Sequence, residues 1–73
     1  MKQILITGWR VGANKVAADE LLAYKAGLGL DKGKALIDAV LNGAFVRIDV
    51  IDDQVAETLV EKLQALNFEA RID

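Results

Sequence analysis

The segment from Gly12 to Leu30 constrains the fold most, because it holds a complete helix together with the signals that begin and end it. Asn14 is a suitable N-cap, since its side-chain oxygen can accept a backbone N–H that the first turn leaves unpaired. The residues that follow are mostly Ala and Leu, which lose little conformational freedom in a helix. Gly27 stands where a left-handed residue would close the helix. The sequence therefore predicts a first helix over residues 14–26.

The composition excludes several kinds of chemistry. The 73 residues contain no Cys and no His, so disulfides, a thiol nucleophile and the usual general base at neutral pH are ruled out. Adjacent carboxylates such as Asp19–Glu20 and Asp52–Asp53 diverge by about 100° on a helix and do not form a catalytic pair. We expect a protein that is not an enzyme, with no catalytic residues, no metal site and no cofactor.

Charge and hydropathy indicate the protein's location and the partners it is not expected to bind. The net charge of −2 argues against a nucleic-acid partner, which usually selects a basic surface. The N-terminal apolar run is too short for a signal peptide, and no stretch approaches the ~20 apolar residues of a membrane-spanning helix. The loop that begins at Gly8 lacks the Gly-Lys-Ser/Thr ending of a phosphate-binding loop. We expect a cytoplasmic protein with no membrane partner.

The remaining elements follow from the periodicity of the apolar residues. Strands are predicted over residues 3–7, 45–50 and 68–72, and helices over 32–42 and 53–66. Polar residues mark the ends of the helices: Asp31 and Asp52 are predicted N-caps, Asn42–Gly43 ends the second helix, and Asn67 is a predicted C-cap.

The order of these elements predicts the topology. Short connections reverse the chain each time, so a fully antiparallel sheet requires the first strand in the middle. The prediction is one domain over residues 1–73 in the α+β class: a β-α-α-β-α-β two-layer sandwich with strand order 2-1-3 and three helices on one face. Gly33, on the apolar face of the second helix, is predicted to let that helix approach a neighbour closely, because a helical glycine otherwise costs about 1 kcal/mol relative to Ala.

Two surfaces are candidate binding sites. On a helical wheel, Ala17, Ala18, Leu21 and Leu22 form the buried side of the first helix. The opposite side is either an ordinary solvated face or a protein-binding surface, and it holds Lys15, Val16, Asp19, Glu20 and Ala23. The uncovered face of the sheet is either an open face with cross-strand contacts or a partner or dimer surface, since exposed apolar patches often mark one. That second surface holds Leu5, Trp9, Phe45 and Arg47.

Two motifs resemble a known family. The runs G-A-N-K-V-A, from Gly12, and G-L-G-L-x-x-x-K-x-L, from Gly27, are similar to the C-terminal domain of the bacterial ribosomal stalk protein, the seven/twelve protein of the large subunit. The resemblance covers nearly the whole chain and is tightest over Gly12–Leu36. It implies the same β-α-α-β-α-β fold. It also implies binding of translational GTPase factors through the exposed face of the first helix and the start of the second.

Only some of the family's contact residues are present at the matching positions of this chain. Lys15, Val16 and Lys34 keep the family's identities, as do the glycines at 27 and 29. Asp19, Glu20 and Ala23 stand where the family has an apolar residue, a lysine and an arginine. The resemblance thus implies that a basic and apolar patch has become acidic, which would repel an acidic factor surface.

These observations lead to one expectation and two alternatives. We expect a divergent, stand-alone relative of the stalk domain, without that family's N-terminal dimerisation region, that binds a partner of basic character. The alternatives are a translation accessory that contacts GTPase factors or the ribosome, and a small acidic immunity or phage-type inhibitor. A weak homodimer through the second surface is also expected. The residues predicted to bind the partner are Lys15, Val16, Asp19, Glu20, Ala23 and Lys34.

Overall fold

The computed structural model describes residues 2–73, so that Met1 lies outside the described residues. Within that range three strands form one antiparallel sheet in the order β2-β1-β3, and three helices complete the predicted β-α-α-β-α-β order. The predicted α+β class and strand order are confirmed. The elements are β1 (Lys2–Trp9), α1 (Lys15–Glu20, continued by a wider turn over Leu21–Lys25), α2 (Leu30–Leu41), β2 (Val46–Val50), α3 (Asp53–Ala65) and β3 (Phe68–Ile72).

The core lies between the sheet and the helices. In β2 the alternation is as predicted, with Val46, Ile48 and Val50 buried and the residues between them exposed. Each fully buried aliphatic or aromatic side chain contributes roughly 1.5–3 kcal/mol relative to an exposed one, so this layer supplies most of the stability. The largest fully buried side chains are Phe68, Ile4, Ile6, Leu22, Ile37, Leu59, Leu63 and Val40.

Two of the predicted helix caps are confirmed by their hydrogen bonds. The backbone N–H of Ala17 donates to Oδ1 of Asn14 over 3.1 Å at the start of α1. At the start of α3, Oδ1 of Asp52 accepts from the backbone N–H groups of Gln54 (2.8 Å) and Val55 (3.1 Å). These bonds satisfy donors that the first helical turn leaves unpaired.

The other two predicted caps are wrong. Helix α2 begins at Leu30 after Gly29, whose φ of 85° carries the chain directly into the helix, so Asp31 lies inside the first turn. Its negative charge is still favourable there, because the helix dipole is positive at that end. Helix α3 is capped by Leu66, and Asn67 follows in the left-handed region with φ 67°.

The first helix is not regular to its end. The N–H of Ala26 donates to the carbonyl of Leu21, five residues back, over 3.3 Å, which is the bonding of a π-helical turn. The N–H of Gly29 then donates to the carbonyl of Ala23 over 3.1 Å. Between them, Gly27 has φ 73° and is the left-handed residue that closes the helix, as predicted. With the bond from the N–H of Leu28 to the carbonyl of Leu22, the carbonyls of Leu21, Leu22 and Ala23 are all paired, as buried backbone requires.

Gly33 marks a close approach of α2 to α1. A Cβ atom at this position would lie 2.7 Å from the backbone oxygen of Asp19 and 3.2 Å from the backbone nitrogen of Ala23. The predicted close approach is confirmed, and the neighbour is the backbone of α1, which cannot move aside cheaply. No helix in residues 2–73 has the length and apolar character needed to cross a bilayer.

We predict that Gly33→Ala lowers the free energy of unfolding by about 1–3 kcal/mol, the cost of forcing extra volume into a packed site. Urea unfolding monitored by circular dichroism measures it. The matched control is Ala35→Gly at an exposed position of the same helix, expected to cost about 1 kcal/mol from helix propensity alone. If Gly33→Ala instead stabilised the protein by that amount, the close approach would be refuted.

Candidate functional site

A patch of exposed apolar side chains lies where α1 meets the start of α2. The exposed fractions are 67% for Val16, 72% for Tyr24 and 39% for Leu30. These three residues line a shallow groove of about 230 Å³ together with Glu20, Lys34 and the largely buried Asp19. We refer to Val16, Glu20, Tyr24, Leu30 and Lys34 as the helix patch. An isolated exposed apolar residue is ordinary, whereas several side by side, rimmed by charges, are typical of an interaction surface.

Helical geometry explains how the patch is assembled. Val16, Glu20 and Tyr24 are spaced four residues apart along the first helix, so they follow one another on one side. Leu30 and Lys34 have the same spacing at the start of α2. The close approach at Gly33 brings the two rows together. The patch therefore depends on two helices held at a short, defined distance.

The patch continues into a larger groove between α1 and α3. Glu20 and Tyr24 line both grooves, and the second one, of about 560 Å³, also contacts Leu21 and Leu66. Its rim carries Lys62 of α3. Tyr24 thus stands at the junction of two concave surfaces, and at 72% it is the most exposed aromatic residue in residues 2–73.

An ion-pair cluster borders the patch. Nζ of Lys15 lies 2.8 Å from Oδ2 of Asp19, one turn along α1, and 3.2 Å from Oδ1 of Asp38 in α2. The lysine therefore ties the two helices together. Hydrogen bonds to Asp19 first, and to Asp38 second, raise the pKa of Lys15 above its ordinary value of 10.5. Both carboxylates favour the charged form of the amine.

Asp19 is an unusual member of this cluster because it is only 2% exposed. Its Oδ2 is paired with Lys15, but its Oδ1 is buried and has no hydrogen-bond partner among the described residues. A buried carboxylate is costly unless it is paired, and removing its cation is strongly destabilising. The burial of Asp19 therefore depends on Lys15.

The predicted exposure of Asp19 and Ala23 is wrong. Both residues are buried, because α2 covers that side of α1 at Gly33. Their neighbours on the predicted buried side are confirmed at Ala18 and Leu22, which are fully buried. Ala17 and Leu21, also predicted there, are only partly buried.

The other predicted partner-binding residues remain accessible. Val16, Glu20 and Lys34 are exposed, and the side chain of Lys15 is partly so. Tyr24 and Leu30 also belong to this face but were not among the residues predicted from the sequence. Tyr24 could have been found from its spacing of four residues after Glu20, whereas the place of Leu30 depends on where α2 begins.

The second predicted surface is not assembled as expected. Leu5 is only 6% exposed, although it points to the uncovered face. Its partners on the neighbouring strands are Arg47 and Arg71, and the aliphatic stems of arginines readily cover apolar surface. The prediction that Leu5 is exposed is therefore wrong.

Trp9 is separated from that surface by an irregularity in β1. The register with β3 shifts between Ile6 and Gly8, so that Trp9 lies opposite Phe68, a fully buried residue of the helix-covered face. A bulge of this kind re-aims the side chains that follow it. Phe45 and Arg47 are exposed as predicted, but Leu5, Trp9 and Phe45 do not form one patch.

Comparison of the chain with protein-family models, with curated proteins and with solved structures finds no match. The candidate site is therefore assigned from the chain's own surfaces. The helix patch is the strongest of them, because it combines exposed apolar side chains, an aromatic ring and a firmly packed base.

We predict that Lys15→Met lowers stability at neutral pH, because it leaves the carboxylate of Asp19 buried without a cation. The stabilising effect of Lys15 should be complete below its unfolded-state pKa of about 10.5 and lost as pH rises through its raised folded-state value. Unfolding free energies measured by urea titration at neutral pH and above pH 10.5 test this.

The control is Lys34→Met, which removes a lysine of the helix patch. Above pH 10.5, the unfolding free energy of wild type and of this control should fall more steeply than that of Lys15→Met. The reason is that Lys15→Met lacks the cation at every pH, whereas the other two proteins lose it only when Lys15 is deprotonated. Equal pH dependence in all three proteins would show that Lys15 does not stabilise the buried carboxylate.

Proposed function

We propose that this protein is a non-enzymatic interaction module that binds a protein partner through the helix patch. The observation that carries the proposal is the exposure of Val16, Tyr24 and Leu30 side by side around one groove. Fully burying an exposed apolar side chain contributes about 1.5–3 kcal/mol, and the part of these three side chains that is still exposed supplies the apolar centre of an interface. Tyrosine is also among the residues most enriched at the energetic centres of interfaces.

The rigidity of the base supports the same proposal. The Lys15 ion pairs and the contact at Gly33 hold α1 and α2 together before any partner arrives. A surface that is already ordered loses less conformational entropy on binding. The partner would therefore meet a preformed groove rather than induce one.

The charges on the helix patch indicate what kind of partner it would bind. The expectation of a basic partner rested partly on Asp19, which is buried and paired with Lys15. The exposed charges of the helix patch are Glu20 and Lys34, one of each sign. The patch itself is therefore apolar with one charge of each sign, and the cluster beside it adds Lys15, Asp19 and Asp38. Because Lys15 pairs with both carboxylates, this face is not strongly acidic and does not favour the alternative of an acidic inhibitor.

A translational GTPase factor is the first specific partner to test. The resemblance to the ribosomal stalk domain assigns factor binding to the first helix and the start of the second. Of the residues that keep the family's identities, Val16 and Lys34 line one groove and Lys15 lies beside it with its side chain partly exposed. This proximity is what favours a translation accessory over an unrelated interaction module.

We predict that Val16→Asp weakens partner binding about tenfold or more, because it places a charge in the apolar centre of the patch. The matched control is Val11→Asp, the same change at an almost fully exposed valine outside the patch. Titrating labelled protein with a purified elongation factor, followed by backbone amide shifts, tests the specific partner. Quantitative capture from a cell extract with all three baits tests the surface.

The two experiments test separately whether an elongation factor is the partner and whether the helix patch is the binding surface. Shifts confined to the helix patch, lost in Val16→Asp and kept in Val11→Asp, would support the translation accessory. Absence of shifts at high factor concentration would reject that partner. Capture of the same proteins in equal amount by wild type and Val16→Asp would reject the helix patch itself.

A further inference from the structure

Among residues 2–73, strand β2 is an edge strand whose outer side pairs with no other strand, and the register shows which of its backbone groups point outward. β1 lies in the centre, with β2 on one side and β3 on the other. The N–H of Asp73 donates to the carbonyl of Gln3 over 2.9 Å, so the backbone groups of Gln3 face β3. By the alternation of an antiparallel ladder, those of Ile4 face β2 and bond to Ile48, its partner in the register.

The next residues on either side of Ile48 therefore point away from the sheet. Arg47 and Asp49 direct their backbone N–H and C=O groups to the free edge. Their side-chain hydrogen bonds go to Gln3, within the sheet, and Arg47 also forms an ion pair with Asp73. An edge with aligned donors and acceptors is a template for another strand.

The opposite edge of the sheet differs. Nε2 of Gln64 donates to the carbonyl of Ala70 in β3 over 2.9 Å. By the same alternation the Ala70 carbonyl is one that points outward from β3. A side chain from α3 thus occupies part of that edge and hinders strand addition there, which leaves β2 as the better site.

The side chains around β2 form a pattern that is complementary to itself. The sequence from 45 to 51 is F-V-R-I-D-V-I, and Ile48 is its centre. Arg47 and Asp49 stand immediately before and after Ile48 and carry opposite charges. Phe45 and Ile51 stand at the two ends and are 69% and 87% exposed.

We propose that a second copy of this chain pairs with β2, antiparallel and with the two-fold axis through Ile48. In this register Arg47 lies opposite Asp49 of the second copy, and Phe45 lies opposite its Ile51. Both pairs occur twice because of the symmetry, as in any isologous interface. Opposite charges and apolar residues placed directly across strands are stabilising, whereas like charges are destabilising.

Charges on an edge strand often prevent pairing. Here they have opposite signs and equal distances from Ile48, so two copies attract one another in the proposed register. The pattern favours one register over its neighbours, because a shift by one residue would move Arg47 away from Asp49 of the second copy. Charge complementarity therefore identifies the second strand as another copy of this chain.

The helix layer beside β2 is compatible with this arrangement. A small groove of about 190 Å³ is lined by Leu28, Lys32 and Leu36 together with Arg47, Ile48 and Asp49 of β2. Leu28 and Leu36 are only partly buried and would be covered by the second copy. Residues 32 and 34 lie about 200° apart on α2, so the helix patch stays open and the dimer presents it twice.

Two charge reversals test the proposal by sedimentation equilibrium up to millimolar concentration. Arg47→Glu places Glu opposite Asp49 of the second copy, and Asp49→Arg places Arg opposite its Arg47. Each variant alone should weaken the wild-type dimer about tenfold or more, since both symmetric pairs become repulsive. An equal mixture of the two variants should restore dimerisation, because every facing pair is then of opposite sign.

The mixture separates pairing from folding, since a variant that merely unfolds cannot be rescued by another. Glu69→Arg and Arg71→Glu provide the matched controls: they make the same charge changes on the same face of β3 and should leave the dimer unchanged. A wild-type chain that stays monomeric at millimolar concentration would overturn the proposal, and so would a mixture that stays monomeric. Neither result would bear on binding through the helix patch.

Discussion

The contact between Gly33 and the backbone of α1 is the constraint on which the rest of the structure depends. Only hydrogen in place of a side chain lets α2 lie against the carbonyl of Asp19 and the amide of Ala23. The contact decides which side of α1 is covered by its neighbour. It therefore buries a carboxylate that would otherwise face water, and Lys15 compensates by pairing with it.

The same packing determines the exposed surface. With Asp19 and Ala23 turned inward, Val16, Glu20 and Tyr24 remain on the outside of the first helix. The wider turn and Gly27 then close the helix and lead the chain to Leu30, which completes the helix patch. The exposed helix patch and the packed interface between α1 and α2 thus both follow from the close contact at Gly33.

Much of the fold could be predicted from periodicity. The strict alternation of 45–50 and the apolar stripe of 53–66 are strong patterns, and short connections left one antiparallel strand order. The site was predicted less well. A helical wheel ranks residues by polarity, so it places a carboxylate outside and cannot register that Lys15, one turn away, neutralises it. Neither the π turn nor the bulge before Gly8 has a periodic signal, and the bulge is what separates Trp9 from Leu5.

The most direct test of this account is a nuclear Overhauser measurement at Gly33 in solution. The added Cβ position, which one α proton of glycine approximates, lies 3.2 Å from the nitrogen of Ala23 and 3.5 Å from Cβ of Leu22. We predict strong cross-peaks from the Gly33 α protons to the Ala23 amide proton and the Leu22 β protons. Absence of both cross-peaks in the folded protein would contradict it, because α1 would then not be oriented by its contact with α2.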